Sequence, residues 1–176
     1  MGRFGFKLMW CPIGKAISGE IEEIYMNWFQ ETFVFNDQTD FQPIFWKRMR
    51  GDIFLVWKKG DLETNRKMGS DDLDRFLRKL NCFEKRIEFT FEREKDGVLP
   101  FLNLLIKKEK ESFITKVYRK GMHTQKYIHW RSNHSRAIKL GVLKGLIQRA
   151  YLLCDLKEDL LDELNLLRDV FISNGY

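Results

Sequence analysis

Apolar and polar positions alternate most cleanly between Arg86 and Glu94. Ile87, Phe89 and Phe91 face one way and Glu88, Thr90 and Glu92 the other, the period-two pattern of a half-buried strand. Phe4, Phe6, Leu8 and Trp10 repeat the alternation over Met1–Cys11 and predict a strand or a buried entry segment. Phe45–Trp57 reads as two short apolar strands meeting at a turn. Gly51, which tolerates positive φ, and Asp52 form that turn. Val98–Lys107 and Ser112–Arg119 read as further strands. With Lys95-Asp96-Gly97 as a hairpin turn, they complete an antiparallel meander after Arg86–Glu94.

Elsewhere the apolar spacing lengthens to that of a helix. Ser18 is positioned to cap a helix reaching Phe33, with Ile21, Ile24, Tyr25, Trp28 and Phe29 on its apolar face. Ser70 opens another, with Asp71 and Asp72 in its first turn and Leu73, Phe76, Leu77 and Leu80 on one face. Asn36–Pro43 and Lys58–Gly69 read as polar connectors. Past Gly121 the pattern is helical to the end: one helix after an Asn133 or Ser135 cap, and a last one over Leu156–Ile172 stopped by Asn174-Gly175. The fold class is α+β, divided into 1–119, with sheet and helices, and 120–176, all helical.

Composition narrows the class. The chain has 176 residues, 44% hydrophobic, enough for a core of one domain or two small modules. Mean hydropathy is −0.40, and no apolar run approaches a membrane span. Lys and Arg exceed Asp and Glu by 31 to 25, an excess that fits a phosphate-backbone partner. Cys11, Cys82 and Cys154 form no CxxC pair, which excludes a zinc ribbon or a disulfide framework and fits a reducing intracellular compartment, nucleus or cytoplasm.

The order of motifs resembles the reverse transcriptases of non-LTR retroelements, closest to the Penelope-like group. Ile13-Gly14-Lys15-Ala16-Ile17-Ser18-Gly19 and the helix after it look like motif B of that family. Trp46–Phe54 looks like motif C. Ile87–Glu92, Leu99–Asn103 and Val117–Lys120 with His123-Thr124 are similar to the later palm strands and the start of the thumb. The resemblance implies a partial polymerase palm over 1–119 and a thumb-like, helix-turn-helix-like region over 120–176. It also implies departures. Motif C has two adjacent aspartates, and here Gly51 replaces the first, leaving Asp52. The strand carrying motif A and its aspartate has no counterpart, so part of the palm sheet is expected to be missing.

The family's chemistry uses two magnesium ions held by carboxylates from two strands. Asp52 is the one catalytic and metal-binding candidate, and a single carboxylate does not fix two ions. The expectation is a truncated, degenerate RNA-directed DNA polymerase domain, inactive alone. The alternatives are a non-catalytic nucleic-acid-binding helical module and a pseudogene fragment. Candidate contacts to an RNA or DNA template–primer are Gly14, Lys15, Arg119, Lys120, Lys126, Arg131, Arg136 and Lys139. Tyr127 and Trp130 are candidates for base stacking or for the core.

Overall fold

The computed structural model describes residues 1–8, 18–35, 43–57, 70–83, 87–110 and 112–176. Gly14, Lys15, most of the connector expected at 36–43 and all of that expected at 58–69 lie outside them. The chain packs as two compact units, Met1–Glu94 and Lys95–Tyr176.

The first unit runs β1 (Gly2–Leu8), α1 (Ser18–Phe29), a π-helical stretch (Gln30–Phe35), β2 (Phe45–Met49), β3 (Asp52–Val56), α2 (Ser70–Phe83) and β4 (Ile87–Arg93). Its four strands lie in the order β2-β3-β1-β4, all neighbours antiparallel. This is the split βαβ arrangement, in which the first strand feeds a helix and then becomes the centre of the sheet. The expected hairpin forms, with Met49 opposite Asp52, and the left-handed conformation in its turn falls on Arg50 (φ 52°). β4 joins the same sheet. The sheet is not short of a strand beside the hairpin: β1 fills that place, pairing Gly2↔Leu55 through Gly5↔Asp52.

Ile53, Leu55, Ile87 and Phe89 point to the helical side and pack under Met26, Phe29, Leu73, Phe76 and Leu80. The α2 face is the one its spacing predicts. The α1 face is not. Ile24 is 71% exposed and Trp28 48%, while Met26 and Phe29 are fully buried. The helix widens into π geometry at Gln30, which turns the following residues and brings Val34 inward. Gln30 also accepts from Trp46 Nε1 (2.8 Å) and from Arg48 Nε (3.2 Å) on β2, and Arg48 reaches Glu23 and Asn27, so α1 is hooked to one edge of the sheet.

The other edge is β4. Its Phe89 has an N–H and a C=O aimed away from β1, and Asn81 of α2 takes both: Phe89 N–H donates to Asn81 Oδ1 (2.7 Å) and Asn81 Nδ2 donates to Phe89 O (3.0 Å). A carboxamide thus closes the edge as another strand would.

The second unit starts at a tight turn. Asp96 and Gly97 both adopt positive φ (52° and 75°), and Lys95 and Val98 exchange two backbone hydrogen bonds across it. β4 and the next strand lie in different sheets, so the turn does not join a single meander. The strand expected over Val98–Lys107 is folded back on itself. Val98–Phe101 (β5) pairs with Leu104–Glu109 (β6) around Leu102 (φ 54°), and β6 pairs with Ser112–Val117 (β7). Two helices follow, α3 (Arg136–Leu153) and α4 (Lys157–Ser173), packed through Ala150, Leu167 and Phe171 with Leu143, Leu146, Ile147, Leu160 and Leu164 around them. They are bound to β7. Thr115 N–H donates to Asp155 Oδ2 (2.6 Å), Thr115 Oγ1 to Leu153 O (2.9 Å), and Asp155 N–H to Thr115 O (3.0 Å). A division at 119/120 would cut through this unit, and the chain divides instead at 94/95.

Replacing Asn81 with Ala strips the partners from both backbone groups of Phe89. The cost is about 1–3 kcal/mol, read as a lower urea midpoint. An unchanged midpoint would mean that water or another group closes this edge.

Candidate nucleic-acid interface

The segment between β7 and α3, residues 118–135, has no regular structure, yet it is held at several points. The holding group is Asn174 at the end of α4, which is 8% exposed. Its Oδ1 accepts from Tyr127 N–H (3.1 Å). Its Nδ2 donates to Val170 O (2.7 Å) and Gln125 O (3.3 Å), and its backbone C=O accepts from Trp130 N–H (3.0 Å). Gly175 follows with φ 84°, a conformation that glycine takes without strain, and a Cβ there would lie 3.0 Å from the His129 ring. This turn delivers Tyr176 back to the loop, where its hydroxyl donates to Ile128 O (2.9 Å) and its ring meets Trp130 edge-on (5.2 Å between centroids). Tyr127 stacks on Phe171. Both candidate stacking residues therefore belong to an internal aromatic cluster.

The candidate cations divide into two groups. Arg119 and Lys139 are internal. Arg119 makes a forked pair with Glu163, which is 7% exposed, and the hydrogen bonding it donates to Glu163 is the main cause that raises its pKa above the ordinary range. Lys139 is buried, with Nζ donating to Trp130 O and Ser132 O and lying 5.4 Å from the Trp130 ring centre. It serves as an internal cap for the loop. Lys120, Lys126, Arg131 and Arg136 are exposed. Three of these lie in the loop, and Arg136 opens α3. That helix is capped by Ser135, whose Oγ accepts from Ile138 N–H, and it carries no acidic residue in its first turn or anywhere else. A helix N-terminus attracts anions, and here only cations accompany it.

The two helices differ sharply in charge. α3 carries Arg136, Lys139, Lys144 and Arg149 and no carboxylate. α4 carries Glu158, Asp159, Asp162, Glu163 and Asp169 against Lys157 and Arg168. Three residues join them, Cys154, Asp155 and Leu156, the connection length of a helix-turn-helix. Residues 126–176 match the animal helix-turn-helix domain. The match takes in most of the held loop and both helices. No curated protein and no solved structure matches the chain.

Asp52 lies in the first unit. It is the first residue of β3, beside the hairpin turn, and its Oδ1 accepts from Arg3 Nη2 (2.6 Å) and Arg3 Nε (3.0 Å). The residue opposite it on β1 is Gly5, which has no side-chain oxygen. One carboxylate already paired with a guanidinium does not fit the oxygen-rich, near-octahedral shell that magnesium requires. Among the described residues no group of three or more His, Cys, Asp or Glu could hold a metal, and no helix is long and apolar enough to cross a membrane.

The missed residue is Asn174. Its place before Gly175 marks the end of a helix in sequence, and nothing local says that its amide reaches a loop 47 residues away. Asn174→Ala leaves Tyr127 N–H and Gln125 O without their partner. The expected loss is about 2–4 kcal/mol, seen as a lower denaturation midpoint together with a changed Trp130 fluorescence. Lys116 supplies a pH-dependent tie. Its hydrogen bond to Asp159 raises its pKa, so the tie is intact below the ordinary lysine range and is lost as pH rises through the raised value. Lys116→Met should accordingly flatten the fall in stability on the alkaline side, measured by denaturation at a series of pH values.

Proposed function

We propose that the chain acts as a nucleic-acid-binding module, and that binding is carried by the held loop and the first turn of α3. The observation behind this reading is the pairing of a wholly basic α3, anion-attracting at its N-terminus, with a loop that keeps Lys120, Lys126 and Arg131 exposed. The helix-turn-helix match supports it. In the usual docking of that motif, the second helix enters the major groove. Here the second helix is α4, with five carboxylates, and a phosphate-lined groove repels it. The contacts are therefore to the backbone, from the loop and α3, and binding is insensitive to sequence.

A finer reading concerns origin. The split βαβ order of the first unit, with Asp52 beside the turn of its hairpin, favours descent from a reverse-transcriptase palm. Helix-turn-helix domains of this kind occur in transposon-derived proteins. In this reading the palm is a catalytically silent platform, because Arg3 holds the remaining carboxylate and Gly5 and Gly51 offer none. A primer-extension assay with magnesium tests it, and template-dependent incorporation by the isolated chain would overturn the silence.

Changing Lys126, Arg131 and Arg136 together to Ala should weaken binding to single-stranded and duplex oligonucleotides of every sequence alike. The slope of log affinity against log salt should flatten by roughly 2 to 3. Lys139 is left in place because it holds the loop. If the triple variant binds as the parent does, or the parent does not bind even at low salt, the reading fails.

A further inference from the structure

α3 leaves a broad apolar face uncovered. Leu152 is 72% exposed, Tyr151 61% and Ile138 51%, and Leu140 lies beside them. In helical projection Leu152 and Ile138 fall on the side opposite Ala150, the residue that packs against α4, with Tyr151 and Leu140 on its flank. Lys144 lies near the middle of that face. A phosphate backbone gains nothing from covering large apolar side chains, so this face suits a protein. α4 has an outer face of matching character. Leu161 and Ile172 are exposed on one side of it, about three turns apart, and Glu158, Asp162 and Asp169 form an acidic row alongside them. Each face points away from the α3–α4 seam, so one chain cannot join its own two faces.

We infer that the outer face of α3 in one copy docks on the outer face of α4 in a second copy, with Lys144 on the acidic row. The charges on the two faces select this occupant: Lys144 is the charge on that of α3, and Glu158, Asp162 and Asp169 are those on that of α4. Opposite potentials fix the register and disfavour like pairing of α3 with α3 or of α4 with α4. The contact is heterologous, so successive copies form a ring or an open chain rather than a closed two-fold dimer. It also covers the acidic helix and leaves Lys126, Arg131 and Arg136 outside the contact. The inference does not depend on nucleic-acid binding.

Sedimentation velocity of the full chain over a range of concentrations tests it. The expected result is a mass that rises with concentration past that of a dimer and falls as salt is added. Lys144→Glu should weaken association about tenfold or more. Combining it with Glu158→Lys and Asp169→Lys should restore association, because both faces then carry the reversed charges. Gly145 lies on the outer side of α3 and a Cβ there meets nothing within 4 Å, so Gly145→Trp blocks the face without crowding the fold. This variant should be monomeric with an unchanged circular dichroism spectrum. A chain that stays monomeric at every concentration overturns the inference. So does association that survives both Lys144→Glu and Gly145→Trp, or that stops at a dimer.

Discussion

The second unit depends on one carboxamide. Residues 118–135 contain no helix or strand, and a loop of that length must find partners for its backbone groups or leave them to water. Asn174 answers this at the one place where α4 ends. It joins Gln125, Tyr127 and Trp130 to Val170, and Gly175 then turns the chain so that Tyr176 can reach Ile128. The aromatic stack of Tyr127, Phe171, Tyr176 and Trp130 closes over these bonds. Lys139 adds two donors from the α3 side. The exposed Lys126 and Arg131 are therefore presented from a loop fixed at both flanks, which lowers the ordering cost of any contact they make.

The same economy recurs at the sheet edges. An edge strand offers unpaired groups to any passing chain. Asn81 occupies those of β4 and Asp155 those of β7, each from the helical layer next to its strand. Several of the chain's cations are likewise committed inside: Arg3 to Asp52, Arg48 to Glu23, Arg119 to Glu163, Lys139 to two carbonyls. Arg3, Arg48 and Arg119 each take an acid with them, so of these four only Lys139 reduces the basic excess that reaches the surface. Exposed cations also lie on α2 and β6, and those of the loop and α3 are set apart because neither of these segments carries an acid.

Local pattern made some elements readable and left others hidden. The hairpin at Phe45–Trp57, the strand at Ile87 and the face of α2 follow from spacing alone, since each buries one side against one neighbour. The face of α1 was readable only in part: Tyr25 and Phe29 pack as their spacing predicts, whereas Met26, off that face, is fully buried and Ile24, on it, is exposed. The fold-back at Leu102 was hidden because a leucine at positive φ gives no turn signal. The role of β1 was hidden too, since its pairing with β3 joins segments some fifty residues apart. In the candidate site, Lys and Arg were identified as a group, and burial alone separates Lys139 and Arg119 from Lys126, Arg131 and Arg136. Charge is visible in a sequence, whereas the side of a helix that a charge ends up on depends on the partner that covers the other side.

This dependence bears on what a helix-turn-helix can do here. The motif supplies two helices and a short turn, and which helix approaches a nucleic acid is decided by the charges that the sequence places on them. With α4 acidic, sequence reading through a second helix would require carboxylates to approach phosphates at close range, where each unscreened pair repels. With α3 basic and its N-terminus free of acid, the favourable approach is end-on to α3, along the loop that Asn174 holds. The connection between the helices has the motif's length and the basic charge falls on the first helix rather than the second, so the surface left over on α4 is free to meet a basic, apolar partner, and the chain's own α3 is such a surface.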